Sequence, residues 1–100
     1  MKSIQHNDDL AKLHELWPAM KTFGVEYAGV FGSRSRGEAD AESDWDILVG
    51  FGDEPPSFER FMNLKLMLEE RLNGRVDLVS RTACKPRFME AIREELRDVA

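Results

Sequence analysis

Short apolar segments alternate with amphipathic ones along this chain, and the alternation limits the folds that are open to it. Val25–Phe31, Asp44–Val49 and Arg75–Ser80 have the length and residue types of strands. Between and around them, apolar residues recur at the spacing of helices. The predicted element order is α-β-α-β-α-β-α, in which the second helix is short. This order indicates an α/β fold with a sheet covered by helices, but it does not reveal how the strands pair.

The predicted helices have recognisable ends. The first begins at Asp8 or Asp9, and Pro18 is expected to kink or shorten it. The third begins after Ser57, a favourable N-cap residue, and ends at Asn73-Gly74. Its predicted apolar stripe comprises Phe58, Phe61, Leu64, Leu68 and Leu72. The last helix begins at Pro86, and its predicted core face comprises Phe88, Ile92, Leu96 and Val99.

The length and net charge of the chain restrict the functions that can be expected of it. With 100 residues, it is expected to form one compact domain over residues 1–100. The net charge of −5 argues against direct binding to nucleic acid, but it allows a small anionic substrate whose charge a metal neutralises. The chain has no long apolar run, no signal-like N-terminus and a single cysteine, Cys84. We therefore expect a cytoplasmic protein without a membrane span.

Two aspartates, Asp44 and Asp46, are the first candidates for metal ligands. Side chains two residues apart on a strand project from the same face, with their alpha carbons roughly 6.6 Å apart. Such carboxylates can converge on Mg²⁺, which prefers oxygen ligands and is commonly shared with substrate phosphates. The same alternation sends Trp45, Ile47 and Val49 to the opposite face, where they can fill the core. A lone Asp-x-Asp also occurs at solvated strand ends, so both interpretations stay open on this evidence.

The turn Gly32–Gly37 directly follows the first predicted strand. Glycine permits a close approach of the backbone to a ligand, and a helix that began here would offer backbone N–H groups to phosphate. The Ser33 hydroxyl could add a hydrogen bond, and Arg34 or Arg36 could meet phosphate oxygens. A plain turn with solvent-facing arginines would have the same sequence. A Walker loop is excluded, because Glu38-Ala39 replaces the required Lys-Ser/Thr.

Taken together, these residues resemble a known signature. Gly32-Ser33, ten further residues and then Asp44-x-Asp46 are similar to the signature of the DNA polymerase β-like nucleotidyltransferases. The fuller runs GSRSRG and SDWDILV resemble the minimal nucleotidyltransferases in particular, and the likeness extends over nearly the whole chain. Arg75–Val79 resembles the strand that carries their third carboxylate. The resemblance implies a polymerase β-like fold, with a small mixed β-sheet flanked by helices.

The resemblance also implies a role for each residue of the signature. Asp44 and Asp46 would hold two Mg²⁺ ions, and Asp77 would bind the ion that activates the acceptor hydroxyl. The phosphate groups of ATP would be bound by Gly32, Ser33, and either Arg34 or Arg36. From the residues alone, Asp77 is an acid between Val76 and Leu78 that needs a partner, or else a charge that protects a sheet edge. The implied reaction transfers AMP from ATP to a hydroxyl and releases pyrophosphate.

The minimal members of this family resemble the enzymatic half of toxin–antitoxin pairs. The implied partner is a HEPN-domain ribonuclease, which is silenced when AMP is attached to one of its tyrosines. Two alternatives stay open. The chain could neutralise a partner by binding alone, or it could modify a small molecule such as an aminoglycoside. The sequence does not settle whether the chain forms a homo-oligomer or a hetero-oligomer.

Overall fold

The computed structural model describes residues 4–40, 42–52 and 54–99 of the chain. The helices are α1 (Ile4–Glu15), α2 (Trp17–Lys21), α3 (Phe58–Leu72) and α4 (Pro86–Ile92). The strands are β1 (Val25–Phe31), β2 (Trp45–Phe51), β3 (Val76–Ser80) and β4 (Arg97–Asp98). Two short 3-10 helices, Gly32–Arg34 and Arg81–Ala83, follow β1 and β3. Within the described residues, no helix is both long and apolar enough to cross a membrane.

The four strands form one mixed sheet with the order β3-β2-β1-β4. β1 pairs antiparallel with β2 and with β4, whereas β2 and β3 are parallel. A parallel pair needs a long crossover connection, which α3 supplies between β2 and β3. The predicted small mixed sheet flanked by helices is therefore confirmed.

The sheet has an apolar core on each face. Trp45, Ile47 and Val49 of β2 are at most 2% exposed and belong to the larger core, as the strand alternation predicts. Helices α1, α2 and α3 contribute the buried Leu13, Met20, Leu64 and Leu68 to this core. The opposite face carries a smaller cluster of Phe31, Leu48 and Ile92. Asp46, which alternates with Trp45 and Ile47, therefore projects from the less covered face of the sheet.

The N-terminal helix differs from its predicted form. It begins at Ile4, before the predicted Asp8 or Asp9, and is divided at Leu16 into α1 and α2. Pro18 lies in the first turn of α2, where its missing N–H costs no hydrogen bond. The interruption expected from Pro18 is thus confirmed.

Helix α3 follows the prediction closely except at its first residue. Arg60 N donates to Ser57 Oγ at 3.1 Å, so Ser57 is the N-cap, and Asn73 adopts the left-handed conformation with φ 55°. Leu64 and Leu68 are fully buried, but Phe58 is 79% exposed. The prediction that Phe58 joins the apolar stripe is wrong, because this first residue of the helix does not reach the core.

The C-terminal segment is the main correction to the predicted fold. A helix was expected to carry Leu96 and Val99, but α4 ends at Ile92 and the chain turns into β4. Gly29 and Val30 of β1 pair with β4, and Val99 N donates to Ala28 O at 2.9 Å. This pairing satisfies the free edge of β1. It also brings the turn between α4 and β4 beside the end of β1.

Candidate active site

Asp46 and Asp77 lie on neighbouring strands at the same position of the parallel register. Asp46 pairs with Asp77, between the pairs Trp45–Val76 and Ile47–Leu78. Because paired residues of adjacent strands project from the same face about 4.8 Å apart, the two carboxylates are neighbours. The structure therefore brings together two of the three predicted acids.

Asp44 immediately precedes β2 and joins the pair from the end of the sheet. Its Oδ1 lies 3.7 Å from Nε of Arg75, which is exposed and immediately precedes β3. Trp45 N donates to Arg75 O at 2.8 Å, so the starts of the two strands are held together. Asp44 and Asp77 both line a cleft of about 260 Å³, whose wall also includes Lys65, Glu69, Arg75 and Val76.

Asp46 is affected electrostatically by the acids around it. The pKa of Asp46 is raised, first because the carboxyl is partly buried and then because Asp77, Asp44 and Glu95 place negative charge near it. Arg36 opposes this rise with its positive charge. Crowded carboxylates of this kind disfavour ionisation until a cation balances them. The site is therefore suited to binding a positive ion.

Magnesium is the ion that the resemblance implies, and the chemistry of the donor set fits it. Asp44, Asp46 and Asp77 offer only carboxylate oxygens, the ligands that Mg²⁺ prefers. Among the residues that the structure describes, no three His, Cys, Asp or Glu side chains are grouped so that they could hold a metal ion. Mg²⁺ commonly takes one or two carboxylates and completes its shell with substrate phosphate and water. The acids fit a metal that is shared with a nucleotide.

Gly32 lies against Asp46, and both its backbone conformation and the space around it favour glycine. Its φ is +78°, and a Cβ at this position would collide with Asp46 Oδ2. Ser35 closes the turn, since its N–H donates to Gly32 O at 3.1 Å and its Oγ donates to the same oxygen at 2.9 Å. The helix expected after Gly32 is only a three-residue 3-10 turn. Any phosphate binding here must therefore rest on individual N–H groups and not on a helix dipole.

Arg34 is built into the core and does not face this turn. The residue is 6% exposed, and its Nη1 lies 3.2 Å from Asp9 Oδ2. Its Nη2 donates to Ser43 O at 2.8 Å and to Asp40 O at 3.2 Å, while the guanidinium stacks 4.0 Å from the ring centroid of Trp45. We therefore correct the assignment of Arg34 to nucleotide binding, because its side chain already joins α1 to the carbonyls of Asp40 and Ser43 and to Trp45 of β2.

Arg36, unlike the buried Arg34, has a partly exposed side chain that lies beside Gly32. Its side chain is 45% exposed, and its Nη1 lies 3.0 Å from Glu95 Oε1. The same oxygen accepts a hydrogen bond from Gly32 N at 2.6 Å. Arg36 and the Gly32 N–H therefore point toward one place, and Arg36 remains the predicted phosphate contact.

Sequence reasoning missed two residues that shape this site, Ser35 and Glu95. Ser35 is 1% exposed and holds the turn through Gly32 O, and its own carbonyl accepts a hydrogen bond from Arg97 Nε at 3.1 Å. The position of Ser35 within the GSRSRG run was an available signal. Glu95 gave none, because it reaches Gly32 only through the unpredicted pairing of β4 with β1.

A small mixed sheet carries acids at the starts of two strands and has a glycine turn beside them. This arrangement is typical of a nucleotidyltransferase domain. Residues 15–97 match the family described as Polymerase beta, Nucleotidyltransferase, and the chain belongs to this family. The resemblance read from the signature is therefore confirmed.

Individual relatives agree with this membership. A protein of Thermococcus cleftensis named protein adenylyltransferase MntA is 46% identical over 74 residues, which cover 74% of each chain. A solved structure described as a candidate minimal nucleotidyltransferase has a TM-score of 0.78 and 35% identity, and covers 92% of this chain and 93% of that one. A complex of a tri-AMPylated HEPN toxin with an MNT antitoxin, from Shewanella oneidensis, matches with a TM-score of 0.60. At 20% identity, covering 100% of this chain and 72% of that one, this match shows the fold alone.

Proposed function

We propose that this chain is a Mg²⁺-dependent protein adenylyltransferase that transfers AMP from ATP to a tyrosine of a HEPN-domain toxin. In this proposal the chain is the antitoxin of a cytoplasmic toxin–antitoxin pair. The nucleotidyltransferase class follows from the family, whereas the donor, the metal and the acceptor are the proposed parts. The observation that carries the proposal is the pairing of Asp46 with Asp77, with Gly32 packed against Asp46.

In this proposal the acids bind the metal ion and the turn binds the phosphates. Asp44, Asp46 and Asp77 would hold Mg²⁺ together with the nucleotide. The Gly32 N–H, the Ser33 hydroxyl and Arg36 would hold the oxygens of the β- and γ-phosphates. When bound there, Mg²⁺ supplies positive charge that offsets the charge of the phosphates and of the carboxylates.

The transfer itself needs an acceptor oxygen placed in line with the leaving pyrophosphate. The new bond joins the tyrosine oxygen to the α-phosphorus. The bond between the α-phosphorus and the oxygen that bridges it to the β-phosphorus breaks, and that oxygen leaves with pyrophosphate. The hydroxyl proton must be removed, and Asp77 can accept it because it is exposed beside the other acids. Catalysis in this scheme comes from positioning and from charge balance.

The names of the relatives support a protein acceptor. The relative from Thermococcus cleftensis is named a protein adenylyltransferase, and a structure of this fold contains a HEPN toxin that carries AMP. A protein partner would bring its own docking surface.

Incubation with ATP labelled at the α-phosphate tests the proposal. The reaction contains Mg²⁺ and the product of the adjacent gene, with an Asp77→Asn variant as the control. We expect label on the partner protein, loss of its ribonuclease activity, and neither effect with the variant. Inhibition without label would support the alternative of a binding module. Label on an added aminoglycoside but not on the partner would support a small-molecule acceptor.

A further inference from the structure

Glu95 occupies the turn that the proposed function assigns to phosphate. Its Oε1 accepts hydrogen bonds from Gly32 N at 2.6 Å and from Arg36 Nη1 at 3.0 Å. Both donors belong to the set that was predicted to bind phosphate. A carboxylate oxygen therefore lies where an anionic ligand of this turn would place its own oxygen.

A phosphate oxygen and the Glu95 carboxylate cannot both accept full-strength hydrogen bonds from Gly32 N and Arg36 Nη1. The Gly32 N–H has one hydrogen, and carboxylate and phosphate oxygens are acceptors of the same charged kind. We propose that Glu95 is an internal competitor of the nucleotide, which must leave Gly32 and Arg36 before a triphosphate binds and which thereby sets the affinity for it. This inference rests on the proposed function and adds to it a residue that determines nucleotide affinity.

The fold holds the backbone of Glu95 and leaves the side chain able to turn. Glu95 lies between α4 and β4, its N–H donates to Ile92 O at 3.1 Å, and the next strand residue, Arg97, pairs with Val30. The backbone is thus fixed on both sides. The side chain is 27% exposed, so it can rotate into solvent without breaking these backbone bonds.

The surroundings of Glu95 also favour its release when a nucleotide arrives. Its hydrogen-bond donor Gly32 is packed against Asp46, so the Glu95 charge lies close to that carboxylate. Neighbouring carboxylates repel each other, so the hydrogen bonds from Gly32 and Arg36 to Glu95 are made against an electrostatic cost. A ligand that offers better acceptors to the same donors can therefore displace the carboxylate.

Variants of Glu95 test the inference through binding. Glu95→Gln keeps the size of the side chain and removes its charge, and Glu95→Ala removes the acceptor altogether. Glu94→Gln is the matched control, since it makes the same charge change at the adjacent exposed residue. Dissociation constants are measured by calorimetry for ATP with Mg²⁺, for inorganic triphosphate with Mg²⁺, and for adenosine. Thermal unfolding of each variant confirms that it is folded.

We expect both Glu95 variants to bind ATP and triphosphate more tightly, by about 3- to 10-fold, because the lost competitor is a partly exposed charged hydrogen bond. Adenosine binding should not change, and Glu94→Gln should stay within about 2-fold of the unmodified chain for every ligand. Weaker ATP binding in both variants would overturn the inference, because Glu95 would then assist the ligand.

Two further outcomes separate this inference from the proposed function. If the unmodified chain binds ATP with Mg²⁺ and the Glu95 variants show no gain, the inference alone is contradicted. If neither the unmodified chain nor any variant binds ATP, the proposed function fails and the inference fails with it. A gain that extends to adenosine would also overturn the competition, because adenosine has no phosphate.

Discussion

Asp46 on β2 and Asp77 on β3 face each other directly in the parallel register of the two strands. These residues are far apart in the sequence, and the α3 crossover brings them together. Two carboxylates at one position of a sheet repel unless a cation lies between them or nearby. Because this repulsion costs stability in the metal-free chain, the arrangement is better explained by ligand binding than by stability.

Replacing Asp46 by asparagine is expected to stabilise the metal-free chain while it removes activity. The amide is close in size to the carboxyl but carries no charge, so the repulsion from Asp77 and Asp44 disappears. We expect the midpoint of thermal unfolding to rise by about 2–5 °C without Mg²⁺. AMP transfer should fall on the order of 100-fold or more, and the two assays together check this prediction.

The effect of Asp46→Asn on stability should depend on pH. The pKa of Asp46 lies above its ordinary value of 3.8, so the folded chain holds this proton more tightly than the unfolded chain does. The destabilisation by Asp46 is therefore absent at pH values below the ordinary pKa and develops as the pH rises through the raised one. Urea titrations across this range check the sign, and a stability difference that grows on acidification would contradict it.

Gly32→Ala should damage the site for a reason that does not apply to other glycines. The new Cβ would meet Asp46 Oδ2, and the φ of +78° would be strained. We expect a loss of stability of about 1–3 kcal/mol and no measurable ATP binding. Gly24→Ala is the matched control, because Gly24 has φ +91° but its added Cβ would meet only Arg60 Nη1 and a Phe51 ring carbon. Loss of ATP binding in the folded control as well would show that backbone strain, not the contact with Asp46, is responsible.

Substitution by alanine should destabilise the chain far more at Arg34 than at Arg36. Arg34→Ala leaves the buried Asp9 without this ion pair, and we expect it to lower the free energy of unfolding by about 3–5 kcal/mol. Arg36 makes only solvent-exposed or partly exposed ion pairs, so Arg36→Ala should lower the free energy of unfolding far less than Arg34→Ala does. Urea unfolding of both variants measures the difference. Equal costs would contradict the structural role given to Arg34.

Local signals explain which parts of the fold could be predicted from the sequence. The bounds of β1, Val25 and Phe31, agree with the prediction, because a strand flanked by Gly24 and Gly32 is defined by its own residues. The N-cap at Ser57 and the helix end at Asn73 are likewise set by residues close in sequence. Predictions of this kind need no knowledge of the rest of the chain.

The remaining features depend on contacts between distant segments. β4 has only two residues and forms because β1 offers a free edge, so it has no pattern of its own. Arg34 and Arg36 are both near Gly32 in sequence, and only the folded turn shows that one enters the core and the other faces Glu95. The signature located Asp44, Asp46 and Asp77, but spacing alone could not give the register that pairs Asp46 with Asp77.

Calorimetric titration of ATP in the presence and absence of Mg²⁺ tests most directly whether Asp44, Asp46 and Asp77 form one site. The titration is made on the unmodified chain, on the three single Asp→Asn variants, and on Glu90→Gln as an exposed acidic control. We predict that Mg²⁺ tightens ATP binding in the unmodified chain and the control, and that each aspartate variant loses at least about 10-fold in affinity. Without Mg²⁺ the aspartate variants should no longer bind more weakly than the unmodified chain. An Asp77→Asn variant that binds ATP with Mg²⁺ as tightly as the unmodified chain would contradict the account.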